Sequence, residues 1–152
     1  MKTLSDPAVK AEILTRLAGL RPASPRRWGK MSAPQMVNHL RDSFLCVTGE
    51  KPVSSATGLF QRTIVKWGAL YLPMRWPHGV PTRPELDQVA CGTSPAGFER
   101  DVAELLLLLD RVTRPELDFR WQPHPVFARM SDWEWKRWAF LHMDHHLRQF
   151  AL

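Results

Sequence analysis

The chain has 152 residues, of which 44% are hydrophobic and 24% charged, as in an ordinary soluble globular protein. This length suits a single domain over residues 1–152, and no apolar run approaches the roughly 18 residues that a membrane span needs. The early acidic residues are unlike a signal peptide, and two cysteines, Cys46 and Cys91, do not make a disulfide scaffold. We therefore expect a reduced, cytoplasmic protein without a membrane partner.

The formal net charge of +6 comes from 21 Lys and Arg residues against 15 Asp and Glu residues. Such an excess can indicate a nucleic-acid partner, but the basic residues are scattered apart from RRWGK at residues 26–30. A solvated basic surface explains the charge more simply, and a pocket for an acidic small molecule is a second alternative. Nucleic-acid binding rests on net charge alone and ranks last.

The first two predicted helices begin at capping signals. In SDPAVKAEILTRLAGL, residues 5–20, Asp6 is a favourable N-cap, Pro7 suits the first helical position and Gly19 ends the helix. In SAPQMVNHLRDSFLCV, residues 32–47, Ser32 and Gln35 match a capping box. Apolar residues at helical spacing form one stripe in each segment: Val9, Ile13, Leu17 and Leu20, then Met36, Leu40, Phe44 and Val47.

The middle of the chain predicts two further helices separated by an irregular stretch. A weaker helix is predicted for GLFQRTIVKWGALYL, residues 58–72, whereas the four prolines of residues 73–86 exclude regular structure there. Another helix is predicted from about Pro95 to Val112. Its expected inward side chains are Phe98, Val102, Leu105, Leu106 and Leu109.

The last predicted helix opens with a second capping box, Ser131 and Glu134, and continues to the end of the sequence. No segment shows the sustained alternation of a β-strand. Amphipathic helices joined by long connections therefore predict an all-α bundle.

Three of the six histidines, His142, His145 and His146, occupy a stretch of only five residues within this last helix. The stretch belongs to the segment HMDHHLRQF, residues 142–150. A helix advances about 100° per residue, which places His142 and His146 one turn apart on the apolar face and His145 at its edge. Two imidazoles at this spacing can converge on one divalent ion. The opposite side of the helix holds charged residues: Arg137, Asp144 and Arg148.

The spacing alone leaves metal ligation and hydrogen-bonded core histidines as equal explanations of the pair. A purification tag is a poor explanation, because an apolar stripe continues through these histidines. A metal site needs a third ligand, for which His39, His78 and His124 are the candidates. His39 lies beside the apolar stripe of its helix, whereas His124 is expected to orient the loop before the last helix. Cys46 is expected to be a buried small hydrophobic residue.

Two stretches of the sequence resemble the DinB-like superfamily. They are RWGKMSAPQMVNHLRDS, residues 27–43, and HPVFARMSDWEWKRWAFLHMDHHLRQF, residues 124–150. The resemblance is closer to a subgroup of uncharacterised bacterial proteins whose last helix ends in a histidine-rich HLRQF segment. PTRPEL, residues 81–86, is similar to the middle loop of that subgroup. The subgroup commonly has glycine after the phenylalanine of both late motifs, where this chain has Ala128 and Ala151.

The resemblance implies a four-helix bundle with a non-consecutive helix order and a metal site of three histidines. One ligand comes from the second helix and two come from an H-x-x-x-H pair in the last, which here means His39, His142 and His146. Characterised relatives include thiol-dependent transferases and isomerases in which a divalent metal activates a low-molecular-weight thiol. The implied cofactors are thus a divalent ion (Zn²⁺, Ni²⁺ or another) and a small thiol, and a homodimer is the implied assembly.

Two classes of function follow from these observations. The first is a metal-dependent enzyme that transfers a thiol, or catalyses a related hydrolysis, on a small-molecule substrate. In that enzyme His145 is a proton shuttle or, alternatively, a hydrogen-bonded structural residue, and Arg148 is a solvated surface residue. Trp135 and Trp138 form part of the pocket wall in that enzyme or, more simply, are core aromatics. The second class is a non-enzymatic bundle, a dimeric stress-response or interaction protein whose metal is structural or absent.

Overall fold

The computed structural model describes residues 1–152 and contains five α-helices and no β-strand, as the all-α prediction requires. The helices are α1 (Pro7–Ala18), α2 (Ala33–Thr48), α3 (Lys66–Tyr71), α4 (Phe98–Thr113) and α5 (Asp132–Gln149). A π-helical segment, Gln61–Val65, leads directly into α3, and a short 3₁₀ helix, Pro84–Leu86, lies in the loop that follows. None of the helices combines the length and apolar character needed to cross a membrane.

Side-chain caps fix the start of three of these helices. Ser32 N donates to Gln35 Oε1 at 2.9 Å while Gln35 N donates to Ser32 Oγ at 3.4 Å, which completes the capping box of α2. Ser131 and Glu134 form the same reciprocal pair at the start of α5. The Asp6 carboxylate caps α1. α4 has no side-chain cap, and it begins at Phe98 rather than near Pro95 as predicted.

The buried face of α4 agrees only in part with the predicted one, since Phe98 and Val102 are partly buried rather than buried. Leu105 and Leu109 are buried as expected, but Leu106 is 38% exposed and Leu108 is buried instead. Five consecutive leucines give no periodicity from which to choose a face. The choice is fixed by Asp101, which is fully buried on the side of α4 that packs against α2.

Helix α5 lies at the centre of the molecule, in contact with α1, α2 and α3. Thirteen of its eighteen residues are buried, so the expected polar side does not face solvent. Arg137 is buried and donates to the backbone carbonyls of Leu70 (3.0 Å) and Lys2 (2.8 Å). Arg148 is half-buried and bonded to Asp144, so the prediction of a solvated Arg148 is wrong. Hydrogen bonds and ion pairs let this charged side of α5 lie inside the fold.

Two alanines have left-handed backbone conformations, which β-carbon crowding normally reserves for glycine. Ala128 has φ = 59° and Ala151 has φ = 66°. The backbone therefore adopts a turn of the kind that favours glycine after Phe127 and after Phe150, at the cost of local strain.

Replacement of Ala128 or Ala151 with glycine is therefore expected to stabilise the protein by about 0.5–1 kcal/mol each. The relief of left-handed strain outweighs the extra conformational entropy that glycine has in the unfolded chain. Urea unfolding of each variant measures the change. Ala11→Gly, at an exposed position inside α1, is the matched control and should destabilise by about 1 kcal/mol. A loss of stability in all three variants would contradict this account.

The helical region before the proline-rich loop exposes an unusual amount of apolar surface. Leu59, Phe60, Ile64 and Trp67 are each more than half exposed, and we refer to these four side chains as the outer apolar face. The inner side of the same region, at Val65, Gly68 and Ala69, lines a cavity. One segment thus forms part of the cavity wall on one side and carries an exposed apolar surface on the other.

Candidate metal centre

The three histidines carried over from the family resemblance meet at the contact between α2 and α5. His39 comes from α2, and His142 and His146 come from successive turns of α5. All three are buried, and their candidate ligand nitrogens lie within 4.8 Å of one another. His39 Nε2 and His142 Nε2 are only 3.1 Å apart. We refer to these residues as the histidine triad.

The outer nitrogen of His39 is held by a backbone group. His39 Nδ1 lies 2.8 Å from the carbonyl oxygen of Leu86, at the end of the 3₁₀ helix. A carbonyl oxygen only accepts hydrogen bonds, so Nδ1 carries the proton and Nε2 presents a lone pair. Such a bond to the distal nitrogen is the usual way in which proteins orient a metal-ligating histidine.

A side chain holds His146 in the same way. Gln149 Nε2 donates to the carbonyl of Trp28 at 2.8 Å, which turns Gln149 Oε1 towards His146 Nδ1 at 3.1 Å. The amide oxygen accepts the Nδ1 proton, so the Nε2 lone pair of His146 is left free. The third histidine differs, because His142 Nδ1 is buried without a hydrogen-bond partner.

Burial keeps the triad neutral. Desolvation lowers the pKa of His39, although the hydrogen bond to Leu86 partly opposes it. Desolvation, together with repulsion from the neighbouring imidazoles, lowers the pKa of His142 and His146 well below the ordinary value. At neutral pH the site therefore offers unprotonated nitrogens rather than a cluster of positive charges.

These donors fit a divalent metal ion bound through three nitrogens. Neutral imidazoles are common ligands of Zn²⁺ and Ni²⁺. In a tetrahedral zinc site with Zn–N distances of about 2.0–2.1 Å, two ligand nitrogens lie about 3.3–3.4 Å apart. The 3.1 Å separation between His39 and His142 is close to this value. Two of the three rings also have the outer hydrogen bond that such ligands require.

The triad forms part of the wall of a cavity of about 550 Å³. Trp135 and Trp138 are both buried, as predicted for core aromatics, but of the two only Trp138 lines this cavity. Cys46 also lines it, but burial raises the pKa of its thiol to about 11, so the thiol stays protonated at neutral pH. Cys46 and Cys91 are both free.

The remaining histidines lie around the same cavity without joining the triad. His124 Nδ1 accepts hydrogen bonds from Val126 N and Phe127 N, both at 3.1 Å, which confirms its predicted role in orienting the loop. His145 lines the cavity, and its Nδ1 is buried without a hydrogen-bond partner. Burial, then the charge of Arg148, lowers the pKa of His145 to about 4. The ring of His78 stacks on that of Trp28, with centroids 3.9 Å apart.

Three supporting groups did not appear among the predicted site residues. Gln149 follows His146 by three positions, so helical spacing alone could have indicated it. Asp42 lies three positions after His39 on α2, and its carboxylate holds the loop that carries Leu86. The Leu86 carbonyl itself has no signature in the sequence, because every residue supplies a carbonyl.

Comparisons with known proteins place the chain in a family. No curated protein and no solved structure matches it. The model of one protein family, described as "Protein of unknown function (DUF1569)", matches residues 5–152. The match covers nearly the whole chain and includes every residue of the histidine triad. The chain belongs to the DUF1569 family.

Proposed function

We propose that this protein is a metal-dependent enzyme whose divalent ion is held by His39, His142 and His146. The observation that carries the proposal is the hydrogen bonding around the triad. The Leu86 carbonyl and the Gln149 amide hold the Nδ1 atoms of His39 and His146, and the candidate ligand nitrogens of the triad lie within 4.8 Å of one another. A core built only for packing has no need of three converging imidazoles with two fixed tautomers.

The proposed fold is a four-helix bundle of the DinB-like type, in which α1, α2, α4 and α5 are the four long helices. Ligands on α2 and α5 agree with the histidine pattern of that superfamily. The proposed reaction is the transfer of a low-molecular-weight thiol to a small-molecule substrate, or a related hydrolysis. When bound, Zn²⁺ or Ni²⁺ would supply Lewis acidity that lowers the pKa of a thiol or water.

The residues of the chain supply the other requirements of such a reaction. The aromatic side chains Trp76 and Trp138 limit the access of water to the triad. His145 is neutral near pH 7, and its buried Nδ1 has no partner within the protein. We assign His145 as the proton shuttle, because a neutral imidazole on the cavity wall can take a proton from a bound reactant and return it.

Metal analysis of protein purified without a histidine tag tests the metal site. We expect about one equivalent of Zn²⁺ or Ni²⁺ per chain, and a loss of affinity of more than about 100-fold in His142→Ala. His78→Ala is the matched control, because His78 lies near the cavity but outside the triad, and it should keep its metal. If reconstituted wild-type protein holds no stoichiometric metal, the proposal is wrong.

The Co²⁺-substituted protein separates a catalytic metal from a structural one. A site with an open coordination position should change its visible spectrum when a small thiol such as 2-mercaptoethanol is added. An unchanged spectrum, combined with unfolding on removal of the metal, would favour the structural alternative.

A second candidate function is supported by the outer apolar face. We propose that Leu59, Phe60, Ile64 and Trp67 bury themselves against a second copy of the chain, since apolar surface of this kind commonly marks an interface. Light scattering should then show a dimer that Trp67→Glu converts to a monomer. Leu107→Glu is the control, because Leu107 is 71% exposed on α4, away from this face. A monomeric wild-type protein would contradict the dimer.

A further inference from the structure

The charged residues of the cavity wall all have the same sign. Lys30, Arg75 and Arg83 line the cavity beside the histidines, and no Asp or Glu side chain lines it. Arg83 is engaged, because its guanidinium donates to Ser54 Oγ. Lys30 and Arg75 form neither a salt bridge nor a side-chain hydrogen bond, although fourteen ion pairs occur elsewhere in the protein. Two cations on the cavity wall therefore lack a counter-charge.

These two cations lie on different loops, and both residues are exposed at the cavity. Lys30 lies on the loop before α2, and Arg75 lies on the loop after α3. The two loops meet where the rings of Trp28 and His78 stack at 3.9 Å with an interplanar angle of 13°. The first loop is also tied to the triad, since Gln149 bonds both to the Trp28 carbonyl and to His146. The loop that carries Lys30 is thus connected to the histidine triad through Trp28 and Gln149.

The rest of the wall is mainly apolar. Aromatic and aliphatic side chains dominate it, including Trp76, Trp138, Phe127, Val65 and Met31. A volume of about 550 Å³ suits a small organic ligand rather than a single ion. The wall therefore offers a large apolar surface for the body of a ligand and two cations for its charged end.

We infer that the substrate is an organic acid with an aromatic or aliphatic body, whose carboxylate pairs with Lys30 and Arg75 while its reactive end reaches the histidine triad. This inference rests on the proposed metal function, because it takes the triad as the site of reaction. The class of ligand follows from charge complementarity. A carboxylate supplies the counter-charge that both cations lack, and a neutral or cationic ligand does not.

Binding of 6-phenylhexanoate and its neutral analogue 6-phenylhexanamide tests this inference, with tryptophan fluorescence or calorimetry as the readout. The carboxylate should bind wild-type protein about tenfold more tightly than the amide. Lys30→Gln combined with Arg75→Gln should remove most of this preference. The control is Arg100→Gln combined with Arg120→Gln, which removes the same charge away from the cavity and should keep the preference. Equal affinities for acid and amide, or an equal effect of the control pair, would overturn the inference.

Measurements on metal-free protein distinguish a failure of the proposed carboxylate recognition from a failure of the proposed metal function. We expect the carboxylate preference to persist after EDTA treatment and in His142→Ala. A preference that appears only with metal would overturn recognition by Lys30 and Arg75 while leaving the metal site intact. A wild-type protein that binds no metal but still prefers the carboxylate would support the anion site and reject the metal function.

Discussion

Replacement of Asp42 with asparagine is expected to weaken metal binding by about tenfold and to lower the free energy of unfolding by about 2–3 kcal/mol. Asp42 is fully buried, and its carboxylate accepts hydrogen bonds from Thr93 N (2.8 Å), Thr93 Oγ1 (2.8 Å) and Gln88 Nε2 (3.0 Å). Lys51 Nζ lies 3.1 Å away. Burial alone would raise the pKa of Asp42, but these bonds hold it below the ordinary value.

The effect on the metal follows from the loop that this carboxylate holds. Residues 84–93 fold back on themselves through backbone bonds from Cys91 N to the Pro84 carbonyl and from Gly92 N to the Asp87 carbonyl. The same loop presents the Leu86 carbonyl to His39. An asparagine amide would place two N–H donors among groups that themselves donate. The loop would then lose its fixed position, and His39 would lose the bond that fixes its tautomer.

Asp101→Asn is the matched control for Asp42→Asn. Asp101 is equally buried, and it accepts from Asn38 Nδ2 (2.7 Å), Ala96 N (3.0 Å) and Arg41 (3.2 Å). Loss of the Asp101 carboxylate should lower the free energy of unfolding by a similar amount, because it weakens the packing of α2 against α4. The loop that carries Leu86 is not among the partners of Asp101. Metal competition assays and urea unfolding on both variants give the two readouts. Equal losses of metal affinity would show that Asp42 acts through general stability rather than through His39.

Acidification of the metal-free protein is expected to reduce its stability steeply below about pH 6.5, and His124→Asn should make that dependence shallower. Burial lowers the pKa of His124 to about 3 in the folded protein. The unfolded chain therefore takes up a proton near the ordinary pKa while the folded chain stays neutral. The contribution of His124 is fully present above pH 6.5 and is lost as the pH falls towards 3.

The size of this effect is limited by the partial exposure of the ring. Each pH unit below the pKa of the unfolded chain lowers the free energy of unfolding by about 1.4 kcal/mol for one fully shifted group. His124 keeps some contact with the cavity, so we expect a smaller loss of about 2 kcal/mol between neutral pH and about pH 4.5.

Asparagine is a suitable replacement because its Oδ1 can accept the bonds that His124 Nδ1 accepts from Val126 and Phe127. Urea unfolding across this pH range, in the presence of a chelator, should show that the variant takes up one proton fewer on unfolding than the wild-type protein does. The triad and His145 are shifted in the same direction and contribute equally to both proteins. Parallel curves for the two proteins would mean that His124 already titrates normally in the folded state.

Local chemistry made much of the secondary structure predictable. The boxes at Ser32 and Ser131 place the start of α2 and α5, because each pairs a hydroxyl with a carboxylate or amide three residues later. The four-residue spacing of His142 and His146 likewise places both rings on one face before any tertiary contact is known. Sequence reasoning left His39 as one of three candidate third ligands, and only the resemblance selected it, because its approach to α5 depends on packing between segments distant in sequence.

The missed features depend on contacts that no local pattern encodes. The face of α4 is chosen by Asp101, whose partners Asn38 and Arg41 lie on another helix. The charged side of α5 is buried because α3 and the N-terminal segment supply carbonyls for Arg137. Helical periodicity reports where apolar side chains lie, and it treats a charged residue as exposed unless a partner is known.

The large separation of the ligands along the chain determines when the site forms during folding. His39 and His142 are 103 positions apart, so they meet only when a long segment has been closed into a loop. Contacts of this kind form late, because the entropy of loop closure must be overcome before they contribute. An ion held by both helices would therefore stabilise the native state more than the folding transition state. It would lengthen the lifetime of the folded chain and leave the rate of folding nearly unchanged.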